Sequence, residues 1–282
     1  MIPAAFDYEV AESVEHALEL LGATSGAKAM AGGHSLLPMM KLRFARPSTV
    51  VDIGRIDALD EIADEVDHVT VGALVRHCDL ERNPIVRKEV PLLGFAAGLA
   101  GDRQVRHRGT IGGSLAHADP AGDLPAIALA LDAEIVTRGP KGERTIAAAD
   151  FFRGLYTTAL APDELIVRVR VPKTGGAGWS YVKFRRRSID WATVGVAAVV
   201  RANGSIDEAR VSLVNMGPRP LRATAVEDAL RGGARDGVAV AAGRADAGAD
   251  PPSDTWASAD FRRHLARVIT EQAVNEALSR TG

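Results

Sequence analysis

The chain has 282 residues, with 46% hydrophobic and 25% charged residues and a formal net charge of −2. That balance is ordinary for a globular protein. It gives no basis for sequence-independent nucleic-acid binding, and the basic run Arg185-Arg186-Arg187 is local. No apolar stretch reaches the roughly 18 residues that a bilayer span needs. The first residues lack the basic start and apolar core of a secretory signal, so a cytoplasmic protein is expected. Cys78 is the only cysteine. An internal disulfide is therefore excluded, and thiolates of this chain alone cannot hold an iron–sulfur cluster.

In chain order, residues 13–21 place Val14, Ala17, Leu18 and Leu21 at helical spacing behind a Ser13 cap. Residues 28–31 read as a short buried strand entering Ala31-Gly32-Gly33-His34-Ser35. Residues 35–43 begin helical or irregular, limited by Pro38, and 49–53 form a second strand. The start of the chain is thus β-α-β-like. Residues 59–62 and 68–71 read as strands, 91–100 as an apolar helix and 124–131 as another helix opened by Pro125. Residues 133–137 and 165–171 are rich in β-branched side chains and read as strands. The run Lys173-Thr174-Gly175-Gly176-Ala177-Gly178 reads as a linker. Beyond it, 179–184, 194–201 and 209–215 read as strands, the last two joined through Asn203-Gly204, a strong hairpin signal. Helices are expected over 223–230 and 259–278, with a Gly- and Ala-rich mobile surface loop over 232–254.

Chemistry concentrates in two glycine motifs. One is Ala31 to Ser35. The other is Gly109-Thr110-Ile111-Gly112-Gly113-Ser114, followed by Asp119-Pro120-Ala121-Gly122-Asp123-Leu124-Pro125. A glycine pair lets backbone approach a ligand without a Cβ in the way, and each pair is followed by a hydroxyl side chain. Two such cradles suit a ligand with two adjacent phosphates, as in a dinucleotide. Taken singly, the first motif also reads as a plain turn, and it is neither a P-loop nor the Gly-x-Gly-x-x-Gly of doubly wound folds. The second is more specific, because an acidic residue follows at a fixed distance. Backbone amides of Ile111, Gly112, Gly113 and Ser114 are candidates to hold a phosphate. Asp123 reads either as an acceptor for sugar or polyol hydroxyls or as a helix cap. Trp191 reads either as a stacking partner for a flat ring or as core. Lys183 reads either as a cation toward a phosphate or ring edge or as a solvated strand lysine. The spacing of His107, His117, Asp119 and Asp123 matches no metal pattern, and Cys78 reads as buried filler.

In one order the chain carries Met1-Ile2-Pro3, Phe6-Asp7-Tyr8, Ala31-Gly32-Gly33-His34-Ser35-Leu36-Leu37-Pro38, Thr110-Ile111-Gly112-Gly113-Ser114, Asp119 to Pro125 and Asp190-Trp191-Ala192-Thr193. This set resembles the medium, FAD-binding subunits of the molybdenum hydroxylases, and most of all those of aerobic carbon monoxide dehydrogenases. The resemblance implies an α+β fold. An FAD-binding region of the vanillyl-alcohol-oxidase (PCMH) type would occupy 1–175, in subdomains of about 1–55 and 56–175. A C-terminal domain with a three-stranded antiparallel sheet and helices would occupy 176–282. It further implies that Ala31, Gly32, Gly33, His34 and Ser35 with Thr110, Ile111, Gly112, Gly113 and Ser114 wrap the FAD diphosphate. Asp123 would bind cofactor hydroxyls, Ile166 would lie near the adenine, and Lys183 and Trp191 would lie at the flavin end. Two departures stand out: Ser114 where asparagine is usual, and His117 in a stretch that often reads Asn-Gly-Asp.

The same resemblance implies an electron-transfer subunit of an oxidoreductase. A large partner would carry the molybdenum–pterin cofactor, and a small partner [2Fe-2S] clusters. The acceptor would be a respiratory quinone or a membrane carrier, and the assembly a dimer of heterotrimers. Through its partners it would associate with the inner face of the membrane. The alternatives are a stand-alone FAD oxidoreductase of the same fold, the FAD subunit of a xanthine or N-heteroaromatic dehydrogenase, and a scaffold that has lost the flavin.

Overall fold

The computed structural model describes residues 1–281. The chain opens with a three-stranded parallel sheet in which Thr49–Asp52 lies between Asp7–Val10 and Lys28–Met30. Helix Val14–Ala23 forms the crossover, and the Ser13 hydroxyl accepts from the His16 amide at its start. Its Val14, Ala17 and Leu21 are buried, as the helical spacing requires. Strand Lys28–Met30 ends at the first glycine motif, and helix Leu36–Lys41 follows that motif. The β-α-β reading of the N-terminal region therefore holds.

A five-stranded antiparallel sheet comes next, in the order Ile62–Asp64, His68–Gly72, Leu165–Pro172, Glu134–Gly139, Gly142–Ala147. The expected strand at 59–62 is shifted: Asp57–Leu59 is a single 3-10 turn, and pairing starts only at Ile62. The cause is a close backbone crossing. A Cβ on Gly72 would stand 2.3 Å from the Leu59 carbonyl oxygen, and the Leu74 amide donates to that same oxygen at 2.8 Å. Between the second and fourth strands of this sheet the chain inserts helices that the sequence showed only in part. Pro91–Gly98 and Asp123–Ala130 match expectation, whereas His77–Arg82, Pro84–Glu89, Arg103–Arg106 and Ile111–His117 lacked a long apolar period. All eight residues of Asp123–Ala130 are buried.

Strand Leu165–Pro172 occupies the centre of this sheet and carries a bulge where its register against Glu134–Gly139 shifts between Ile166 and Arg168. The bulge interrupts the two-residue alternation, so Leu165, Ile166 and Val167 are buried in succession.

After Gly175 and Gly176, both at positive φ, comes an antiparallel sheet of Gly178–Phe184, Val194–Asn203 and Ser205–Val214. The Asn203-Gly204 signal does turn the hairpin, with Gly204 at φ 81°. A two-residue strand, Leu221–Arg222, extends the expected three strands on one edge. Helix Ala259–Ser279 packs on the sheet so closely that a Cβ on Gly178 would meet the Ala277 carbonyl oxygen at 1.9 Å.

One expectation fails in this region. Residues 232–254 are not a mobile surface loop. They contain a 3-10 turn and helix Val238–Ala242, and Val238, Ala241, Ala242, Ala245 and Ala249 are buried. Alanine methyls are small enough for close helix packing, which a reading based on glycine and alanine content misses.

Candidate functional site

A cleft of about 860 Å³ runs from the N-terminal sheet, past the start of helix Ile111–His117, to the C-terminal sheet. That volume is near the upper end of the roughly 300–1,000 Å³ usual for small-molecule sites. Of the residues named from the sequence, Ala31, Gly32, Gly33, His34, Ser35, Thr110, Gly112, Gly113, Ser114, Asp123, Ile166, Lys183 and Trp191 line it. Ile111 does not. Its side chain is 2% exposed and belongs to the core behind the cleft.

The first motif is built as a cradle. Among the described residues, no backbone carbonyl or side chain accepts from the amides of Gly32, Gly33, His34 and Ser35. Gly33 has φ 75°, a conformation that glycine adopts without strain. Four successive N–H groups without acceptors along a cleft wall form a site for an anionic oxygen. Gly32 is needed for another reason: a Cβ there would fall 1.8 Å from the Arg108 carbonyl oxygen, so the two glycine motifs touch backbone to backbone.

The second motif is not the expected amide grip. It folds as a helix start docked on residues 73–75, and its four amides already have acceptors. The Ile111 amide donates to Val75 O at 3.0 Å and the Gly112 amide to Ala73 O at 2.9 Å. The Gly113 amide donates to Thr110 Oγ1 at 3.1 Å and the Ser114 amide to Thr110 O at 3.0 Å. A Cβ on Gly112 would stand 2.6 Å from the Ala73 Cβ, so this glycine serves packing. What the motif offers the cleft is the bare surface of Gly113 and the Ser114 hydroxyl.

Asp123 and Lys183 also differ from their sequence readings. Lys183 Nζ donates to Asp123 Oδ2 at 2.8 Å and to the Leu99 carbonyl at 3.1 Å, and the Tyr181 hydroxyl donates to Asp123 Oδ1. Both charged side chains are almost fully buried. Asp123 is the first helical residue rather than a cap, and both its oxygens are engaged within the protein. Burial pushes its carboxyl above the usual carboxylate range, while Lys183 and Tyr181 draw it back. Lys183 is not a solvated strand lysine. Two of its three N–H groups are committed, which leaves one for a ligand in the cleft.

Ile166 reaches the cleft from the bulge in its strand. Trp191 stands at the lip, 61% exposed, so the core reading of this residue fails. Its loop is held at the sides: Arg187 Nε pairs with Asp190 at 3.1 Å, and Asn215 Nδ2 donates to Ala192 O at 2.8 Å.

Among the lining residues that sequence reasoning missed, two carry polar chemistry close to the second motif, Tyr156 and His77. Tyr156 lies in a left-handed backbone conformation, φ 50°, with its ring 5.0 Å from that of His117. His77 is buried, and its Nε2 lies 3.1 Å from Ser114 Oγ. Burial, with Arg106 and His34 adding, lowers its pKa to about 4, so the ring is neutral. No local pattern marks either residue. Cys78, next to His77, is buried with its thiol pushed up by burial, in keeping with a filler role.

Residues 4–174 match the family described as the FAD binding domain in molybdopterin dehydrogenase. The chain belongs to that family. Residues 179–277 match the CO dehydrogenase flavoprotein C-terminal domain. The carbon monoxide dehydrogenase medium chain of Hydrogenophaga pseudoflava is 44% identical, over 99% of each chain. The glyceraldehyde dehydrogenase medium chain of Sulfolobus acidocaldarius is 37% identical, over 98% of this chain and 99% of that one. A solved carbon monoxide dehydrogenase from Hydrogenophaga pseudoflava, lacking the Mo-pyranopterin moiety of its molybdenum cofactor, superposes with a TM-score of 0.98, 45% identity and full coverage of both chains. This medium subunit is thus the FAD-binding component of a molybdenum hydroxylase and part of an oxidoreductase. Its cleft fits the cofactor: about 860 Å³ in volume, lined from the first glycine motif to Trp191, with a row of acceptor-free amides at Gly32 to Ser35. Among the described residues, no helix is long and apolar enough to cross a membrane.

Proposed function

We propose that this medium subunit carries FAD as the electron-transfer component of a carbon monoxide dehydrogenase-like molybdoenzyme. It would pass electrons from partner iron–sulfur clusters to a respiratory acceptor. One observation carries the reading: a chain alike end to end to a carbon monoxide dehydrogenase medium chain keeps four acceptor-free amides in the cleft of its FAD-binding domain. When bound, FAD supplies the redox chemistry, and the chain supplies position and electrostatics.

In this reading the amides of Gly32 to Ser35 hold the diphosphate, with the Ser114 hydroxyl beside them. Ile166 packs at the adenine, and the remaining N–H of Lys183 and the Trp191 indole serve the flavin end. Asp123 fixes the Lys183 ammonium, and the carboxylate lone pairs that Lys183 and Tyr181 leave unused serve cofactor hydroxyls. The reading divides the chain into 1–175 and 176–282. It supplies a large molybdenum subunit and a small [2Fe-2S] subunit as partners, assembled as a dimer of heterotrimers, with a quinone as acceptor.

Purification of the full-length chain with the subunits that accompany it tests this. The expected product is yellow, with one FAD per chain, and its flavin is bleached by carbon monoxide and recoloured by a quinone. Bleaching by an N-heteroaromatic substrate instead would assign the chain to a different hydroxylase. A colourless complex that takes up no added FAD would overturn the proposal.

A further inference from the structure

The His77 imidazole lies beneath the second glycine motif, 4% exposed, and meets that motif from two directions. Its backbone amide donates to the Gly109 carbonyl at 3.0 Å, and its Nε2 lies 3.1 Å from Ser114 Oγ. A Cβ on Gly109 would fall 2.9 Å from the ring, so that glycine makes the room the imidazole occupies. Nδ1 is buried and has no partner among the described residues.

A neutral imidazole has one N–H donor and one acceptor nitrogen, and here only one nitrogen has a partner. With the proton on Nδ1, a buried N–H would have no acceptor and would bear its full desolvation cost. With the proton on Nε2, that N–H donates to Ser114 Oγ and only a lone pair is left unpartnered. Buried donors without acceptors are the rarer of the two. The Nε2–H tautomer therefore holds. Ser114 Oγ then accepts from His77, and its own hydrogen has no acceptor among the described residues. Ser114 lines the cleft, where its neighbour Gly113 comes within 4.0 Å of the Ala31 methyl when a Cβ is placed on it.

We propose that His77 is a positioning residue for the cofactor diphosphate: it donates to Ser114 Oγ and so turns the Ser114 hydroxyl hydrogen into the cleft, toward an anionic oxygen. The inference rests on the FAD reading above. It also accounts for a serine at this position. A bare serine hydroxyl rotates freely, whereas one held by a neutral ring presents a fixed donor with the amides of the first motif.

The test is a double-substitution cycle on the full-length chain purified with its accompanying subunits, stripped of flavin and titrated with FAD. S114A is expected to weaken FAD binding about tenfold, the scale of a hydrogen bond to a charged group. H77L is expected to weaken it about threefold to tenfold in the unaltered chain and less than about twofold on the S114A background. H77Q, whose amide N–H stands in for Nε2–H, is expected to retain binding within about twofold. An equal loss from H77L on both backgrounds would overturn the inference, as would no loss on either. Nitrogen NMR of the unaltered protein decides independently of any variant's folding: an Nδ1–H tautomer for His77 overturns it. If the unaltered complex takes up no FAD, the cofactor reading fails before any substitution is made, and this inference fails with it.

Discussion

Lys183 Nζ stands 2.8 Å from Asp123 Oδ2, in a contact that joins helix Asp123–Ala130 to strand Gly178–Phe184. The side chains are 2% and 4% exposed, and the Tyr181 hydroxyl fills the other carboxylate oxygen. The pair fixes one wall of the cleft against another. Removing one member leaves a buried charge without its partner, which costs about 3–5 kcal/mol. D123N and K183M are each expected to lower the unfolding free energy measured in urea by about that amount. The double substitution is expected to be less harmful than the sum of the two. Additive losses would show that the pair has no such coupling.

Gly32 meets the backbone of the other glycine motif, where a Cβ would lie 1.8 Å from the Arg108 carbonyl oxygen. A Cβ is fixed by its own backbone, so no rotamer change relieves its clash with a carbonyl oxygen. G32A is therefore expected to push the motifs apart and abolish FAD retention, with a lowered melting temperature. G33A faces mainly the left-handed φ, a strain of about 1–2 kcal/mol. It is expected to fold and to bind FAD more weakly. Flavin content after gel filtration, measured beside the melting curve, separates the two. Full FAD retention by G32A would contradict the cradle.

Local features were legible in the sequence and long-range pairings were not. The Val14, Ala17, Leu21 spacing gave the first helix, and Asn203-Gly204 gave the hairpin, because each signal lies within one turn or one strand pair. The glycine motifs also announced the cleft. A helix start and a loop present the same Gly-Gly letters, however. Only the docking of residues 111 and 112 on Val75 and Ala73 shows that the second motif's amides are engaged. Asp123 with Lys183 and His77 with Ser114 are 60 and 37 residues apart in sequence. Neither periodicity nor turn chemistry encodes such a pairing.

Trp191 is 61% exposed at the cleft lip and takes little part in the core. W191A is expected to change unfolding free energy by no more than about 0.5 kcal/mol, as for an ordinary surface position. If the indole lies against the flavin, W191A weakens FAD binding several-fold and raises flavin fluorescence, while W191F largely restores both. A large loss of stability would return Trp191 to a structural role. Unchanged flavin fluorescence would remove it from the flavin end.

His77 carries a pH dependence whose sign is fixed by its environment. Its folded pKa is lowered to about 4 from 6.5, chiefly by burial. The unfolded chain therefore binds a proton first as pH falls. Stability from the neutral ring is complete above the unfolded value and declines as pH drops from about 6.5 toward 4, by roughly 3 kcal/mol in full. Glu164 is held down to about 2 by Arg144, with Thr137 assisting, against an ordinary value of 4.5. Its contribution declines only below that ordinary value. The contribution of His117, whose pKa burial also lowers, declines with the same sign in the His77 window, so the comparison with H77Q isolates His77 above about pH 5. Urea midpoints across that range are expected to fall for the unaltered chain and to fall less steeply for H77Q. Parallel curves for the two proteins would mean that His77 does not titrate in this window.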